Sequence, residues 1–333
     1  RDAEEAAYFH NTLENITGAL NLFYFPSSFK NKKNYRLLNA SHVMLRTECL
    51  TRFANPMGER VGVIITYPEA LFEKVVLPKT LSANIISVKQ GETIDPVSIY
   101  EKCIGYGFTR TDFVYEPGQF AVRGGILDIY SFGNEKPYRV ELFGNEVDSI
   151  RIFDPETQLS ERKLLQVSII PNVETQFDSG EKVSIMEFLP ENTVVWSEDW
   201  NFTKEKIEQE NESFLVSRFE KEQSAEEVEE NPHLKDFSEN DFVTAESFET
   251  EILLRHIIEF GNKPYFSTNE QRETTNEKQP TTFHTKEQPA FNRNFELLIK
   301  NLKDYQEKQY KIYLFAENPK QLERLHVIFT DLK

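Results

Sequence analysis

Cysteine is nearly missing from this chain: Cys49 and Cys103 are the two among 333 residues, and no CxxC spacing occurs. That excludes a disulfide framework and points to a reducing compartment, with the cytoplasm as the expected location. No apolar run approaches the roughly 18 residues needed to span a bilayer, and no signal or transit peptide is visible. Positive charge is also scarce: 55 acidic against 38 basic residues give a net charge of −17. The resulting field repels nucleic acid, so DNA is not an expected partner of this chain alone. The length allows two or three domains. Arg1 runs directly into a helix near Glu4 to Ile16 with Asp2 as N-cap, so the sequence is expected to begin inside a domain.

The signatures of catalysis are lacking too. A phosphate loop needs closely spaced glycines followed by Lys and Ser or Thr. Lys79-Thr80 follows Leu77-Pro78 instead and reads as an ordinary loop, while Gly105-Tyr106-Gly107 lacks a third glycine and reads as a turn. The six histidines are scattered without metal-ligand spacing, and there is no GxSxG nucleophile motif. Glu141 and Asp148 are expected to face each other across a hairpin, as solvated surface rather than an acid–base pair. No catalytic, cofactor-binding or metal-binding residue is assigned.

What remains is an α/β rhythm broken by a strand-rich insert. The run Leu22-Phe23-Tyr24-Phe25, a helix near His42 to Phe53, a strand over Val61 to Thr66 and a helix opening at Pro68 predict parallel strands covered by helices. A short helix near Pro96 to Cys103 then leads into close strands punctuated by glycines, an antiparallel insert ending near Pro171. Beyond it, Thr193 to Trp196 reads as a buried strand, the acidic stretch 205–230 as a solvated helix, and Ser267 to Gln279 as a polar loop. A helix over Asn294 to Glu307, a strand over Tyr310 to Phe315 and a helix over Pro319 to Leu332 resume the rhythm.

Within the insert, Pro137 to Phe143 alternates strictly. Tyr138, Val140 and Leu142 share a core face, and Arg139, Glu141 and Phe143 the other. Gly144-Asn145 is a two-residue hairpin turn; the return strand puts Val147 on the buried face and Glu146 and Asp148 outside. The outer face then carries Phe143 with Arg139 about 13 Å away along the strand, and Arg123, beside a kink or bulge at Gly124-Gly125, extends the patch. An exposed aromatic near arginine suits an interface anchor. The same pattern fits a Phe143 that packs beneath another segment, and alternation leaves both readings open.

Gly118-Gln119-Phe120-Ala121-Val122-Arg123-Gly124-Gly125-Ile126-Leu127-Asp128-Ile129, Pro137-Tyr138-Arg139 through Phe143-Gly144, Asp148 through Asp154 and Thr157-Gln158 together resemble the N-terminal region of the bacterial transcription-repair coupling factors, the Mfd family. Tyr67-Pro68-Glu69-Ala70-Leu71, Gly105-Tyr106 and Ala290 through Leu298 extend the likeness more weakly. Two positions depart from the family pattern: Tyr130-Ser131 replaces Phe-Pro, and Leu159 stands where an arginine commonly follows Thr-Gln.

The resemblance implies an α/β fold: a degenerate P-loop-NTPase-like, UvrB-like parallel-sheet domain in two segments, 1–88 and 179–333, that has lost its ATP site. An inserted, mainly antiparallel α+β domain at 89–178 would bind UvrA. Carried over residue by residue, the family's UvrA contacts fall on Arg123, Arg139 and Phe143. The implied role is non-catalytic recruitment of UvrA to stalled RNA polymerase in nucleotide excision repair. The motor and the polymerase and DNA contacts would lie in regions outside this chain, against which it would pack. A UvrB-type helicase-like ATPase acting on damaged DNA is the alternative, and nucleotide binding by the purified chain separates the two.

Overall fold

The computed structural model describes residues 1–18, 21–30, 38–54, 62–223, 237–261, 263–266, 281–282, 290–291, 294–314 and 319–331. They fall into two compact units, Arg1–Arg272 and Glu273–Lys333. Among the described residues no helix is long and apolar enough to cross a membrane.

The first unit opens with α1 (Ala3–Thr17), whose N-cap Asp2 accepts a hydrogen bond from the Glu5 amide at 2.9 Å, satisfying a donor that the first helical turn leaves without a partner. Strands β1 (Leu22–Tyr24) and β2 (Val63–Ile65) pair in parallel, Leu22 opposite Val63, with α2 (Ala40–Ala54) between them in sequence. Helix α3 (Pro68–Leu71) is one turn long, opened by Pro68 as expected, and leads to β3 (Val75–Val76), α4 (Pro78–Ala83) and β4 (Ile86–Lys89). Lys79 and Thr80 therefore sit in a helix, not in the loop expected of them: Pro78 supplies the favoured first helical residue.

The insert begins with α5 (Pro96–Gly105), capped by Asp95. Strands β5 (Thr109–Arg110), β6 (Gln119–Arg123), β7 (Ile126–Ile129), β8 (Tyr138–Phe143), β9 (Glu146–Phe153) and β10 (Ser160–Leu164) follow. They form a six-stranded sheet in spatial order β10-β9-β8-β7-β6-β5, antiparallel except for the β5–β6 pair. Strand β11 (Gln166–Ile169) returns antiparallel to β4, so the two ends of the insert lie side by side. One face of the sheet buries Phe120, Leu127, Ile129, Tyr138, Val140, Val147 and Ile150 against Ile99 and Cys103 of α5. The expected turn at Gly144-Asn145 is present, with Gly144 at φ 62° where type II′ hairpins place glycine.

Two details of the insert differ from expectation. Gly124-Gly125 is the tight turn of the β6–β7 hairpin, Arg123 pairing with Ile126, and not a kink or bulge. The irregularity lies in β9: Leu142 pairs with Val147 but Glu141 with Ser149, leaving Asp148 as an extra, exposed residue. Glu141 therefore faces Ser149 rather than Asp148, because a single inserted residue shifts every later partner by one.

After the insert come β12 (Lys182–Val183), antiparallel to β3, and α6 (Ile185–Phe188). Strand β13 (Val194–Ser197), α7 (Trp200–Gln223), α8 (Ala245–Leu253) and β14 (His256–Glu259) complete the unit. The β13–β14 pair is parallel. Contrary to expectation β13 is not buried: Trp196 is 66 % exposed, because only the face carrying Val195 packs on the core and the alternation turns Val194 and Trp196 away. The acidic stretch is helical as expected through Gln223, with Ile207 and Phe214 directed inward, and its remainder lies outside the described residues, as does the expected loop over 267–279. The core here is aromatic, with Phe72 stacked on Phe242 at 4.3 Å.

A buried ionic cluster crosses this unit. Arg46 of α2 is fully buried and meets Glu174 at 2.6 Å and Glu73 at 3.4 Å. Lys182 donates to the Glu174 carbonyl at 3.2 Å and pairs with Asp241 at 3.2 Å. The segment leaving the insert is thereby tied to α2 and to the chain beyond β12.

The second unit contains α9 (Phe295–Glu307), capped by Asn294, and α10 (Pro319–Asp331). The strand expected over Tyr310 to Phe315 is not formed at 310–314. No ladder partner is paired with that segment among the described residues, and a strand without one leaves its backbone groups to solvent. Phe315 lies outside the described residues.

Candidate protein-docking face

The face of the six-stranded sheet turned away from α5 carries charge instead of a continuous apolar layer. Register places Ala121 opposite Asp128, Asp128 opposite Arg139 and Arg139 opposite Arg151, in one row across four strands. The next row runs Arg123, Ile126, Glu141 and Ser149. Two arginines facing each other across neighbouring strands repel unless each has a carboxylate. Both do: Arg139 pairs with Asp128 and Arg151 with Glu141 at 2.8 Å, while Ser149 also donates to Glu141 at 2.7 Å.

Asp128 is the centre of this arrangement and is fully buried. Arg139 grips it through two N–H groups, Nε to Oδ1 at 2.7 Å and Nη2 to Oδ2 at 2.8 Å, and Arg123 closes on Oδ2 from the other side. A carboxylate withdrawn from water needs such partners. The bond to Asp128 in turn holds the Arg139 guanidinium above its ordinary pKa. Arg139 also lies over the buried Phe153 ring at 4.5 Å and donates to the Gln158 carbonyl at 3.1 Å. Its side chain is 14 % exposed, against 34 % for Arg123. Arg123 donates to the Asp112 carbonyl at 2.8 Å and sits 4.7 Å over the Phe113 ring.

Phe143, at the β8 end beside the hairpin turn, is 83 % exposed. Of the two readings that alternation left open for it, packing beneath another segment is therefore removed. Arg123, Arg139 and Phe143 share one face of the sheet, with Arg139 beneath the surface and Phe143 projecting from it. Asp128 went unassigned in the sequence, although its signal was there: one acidic residue in the otherwise apolar run Ile126-Leu127-Asp128-Ile129. Among the described residues no group of three His, Cys, Asp or Glu side chains could hold a metal ion.

The family model of the UvrB interaction domain matches residues 86–174, from the first residue of β4 to the carboxylate that holds Arg46. Three relatives share one name. A transcription-repair-coupling factor of Bacillus subtilis is 34 % identical over 143 residues, 43 % of this chain and 12 % of that protein. One from Escherichia coli is 29 % identical over 130 residues, 39 % of the chain and 11 % of the relative. One from Staphylococcus haemolyticus is 45 % identical over 84 residues, 25 % and 7 % respectively. Each match thus spans about a tenth of the relative's length. Residues 86–174 thus match a UvrB interaction domain, and over part of its length the chain is similar to transcription-repair-coupling factors.

Proposed function

We propose that this chain is a non-catalytic docking module that recruits UvrA in transcription-coupled nucleotide excision repair, acting in the cytoplasm as the N-terminal part of a longer protein. Its docking face is built by Arg123, Arg139 and Phe143. The observation that carries this reading is the 83 % exposure of Phe143 on the sheet face that holds both arginines. A large aromatic ring projecting from a hairpin on the same sheet face as a partly exposed guanidinium is the composition of an interface hot spot. The α/β segments flanking the insert serve as a UvrB-like scaffold for it, and the translocase motor with its polymerase and DNA contacts belongs to other regions of the intact protein.

The test is a calorimetric titration of the chain with UvrA. Phe143→Ala is expected to weaken binding by about 2 kcal/mol, roughly thirtyfold, with no change in thermal stability because the ring is exposed. Unaltered affinity in that variant refutes the site, and specific ATP binding by the chain favours an ATPase instead.

A further inference from the structure

We infer that the UvrA-docking face has a second, apolar part, a rim formed by Phe113, Tyr115 and Leu159, which the turn at Gln158 fastens to Arg139 and the Asp112 carbonyl to Arg123. This rests on the UvrA-docking reading above and extends it to side chains that the motif pattern does not include. Gln158 has φ 60°, a left-handed conformation that side-chain-bearing residues rarely adopt. Strained backbone of this kind persists where its surroundings hold it, often at sites of function. Here the surroundings are visible. The Gln158 amide N–H donates to the Asp154 carbonyl at 2.8 Å, and the Asp154 carboxylate accepts from the Glu156 and Thr157 amides at 3.1 and 2.8 Å. The strained residue presents its carbonyl to Arg139 and its side-chain amide to the Val114 carbonyl at 3.1 Å.

That second bond couples two segments distant in sequence. Val114 is fully buried in a small cluster with Ala121, Tyr130 and Phe153, so its loop is pinned at the centre. Its neighbours point outward: Phe113 is 48 % and Tyr115 55 % exposed, and Leu159, after the strained residue, is 69 % exposed. The loop is held on its other side by Arg123, which bonds the Asp112 carbonyl and covers one face of the Phe113 ring. Anchoring is accomplished by Val114 and the hydrogen bonds. The three outward side chains add apolar surface that the fold itself does not bury. Two guanidiniums share the single Asp128 carboxylate, which leaves one excess positive charge at the centre of the face, while Asp112, Glu116 and Glu156 make the loop and turn around it acidic. The matching patch on UvrA is accordingly acidic at its centre with apolar contacts beside it.

The experiment titrates the 333-residue chain with its cognate UvrA, using Phe143→Ala as reference. The double variant Tyr115→Ala/Leu159→Ala is expected to bind about tenfold more weakly at unchanged melting temperature. Gln158→Gly keeps the left-handed turn and the carbonyl for Arg139 but removes the tether to Val114. It is expected to weaken binding severalfold and to speed amide exchange in the 112–116 loop. If Phe143→Ala weakens binding while the rim variants match wild type, the rim is refuted and UvrA docking stands. If the unaltered chain does not bind UvrA, both fall. A loss of affinity matched by a loss of thermal stability marks a merely structural role and also overturns the rim.

Discussion

Replacing Arg139 with alanine should destabilise the chain, not simply strip a contact from its surface. Asp128 is fully buried, and Arg139 supplies two of its three guanidinium hydrogen bonds. Removing one partner of a buried ion pair costs about 3–5 kcal/mol, since the other charge is left uncompensated. Arg123 remains, which favours the low end of that range, while the lost contact with Phe153 adds about 1 kcal/mol. The expected cost is about 3–4 kcal/mol, a large share of the stability of an ordinary domain. Removing the carboxylate as well should recover most of it: Asp128→Leu/Arg139→Met exchanges the pair for apolar side chains and is expected within about 1–2 kcal/mol of wild type. Urea unfolding of Asp128→Leu, Arg139→Met and the double variant closes the cycle, with an expected coupling of about 2 kcal/mol. Strict additivity, or an Arg139→Ala midpoint equal to wild type, would refute the pairing. The outcome also decides how docking experiments are read. Arg123 and Phe143 are accessible enough to report on contact, whereas a binding defect in Arg139→Ala confounds contact with stability.

Two further measurements test the buried interior. Burial, with Glu174 competing for the single Arg46 guanidinium, holds the Glu73 carboxyl above its ordinary 4.5, so the folded state binds this proton more tightly than the unfolded chain does. This contribution to stability is therefore present at low pH and lost as pH rises above 4.5 through the folded value. Glu73→Gln should remove that decline, and identical stability–pH slopes for the two proteins would sink the account. The thiols should be inert: burial pushes Cys49 up and Cys103 up to about 12, and neither side chain reaches solvent. A thiol reagent at about pH 8 is expected to label neither in the native chain and both after unfolding, and rapid labelling of the native chain would contradict the burial.

Local signals were legible wherever a single segment carries its own geometry. Asp2 caps α1, Pro68 and Pro96 open helices, and the alternation of β8 with Gly144-Asn145 yields both the buried row and the exposed Phe143. Readings failed where the answer depends on a partner elsewhere in the chain. Trp196 is apolar and in a strand, yet exposed, because none of the described residues packs over its face of the two-stranded pair. The Glu141–Ser149 pairing needs the bulge at Asp148, which alternation cannot show since each strand remains regular up to the inserted residue. Asp128 is the most consequential case. Its place under Arg139 depends on the β7–β8 register, and the connection from Tyr130 to Pro137 is too long to fix register as a two-residue turn does. Without that register, Arg123 and Arg139 read as equivalent surface arginines. With it they separate: Arg139 is the inner member that holds the buried carboxylate, and Arg123 is the outer member, whose remaining exposure leaves it able to meet a partner. A charged sheet face is thus specified in two layers, and alternation alone reports only which face a residue belongs to.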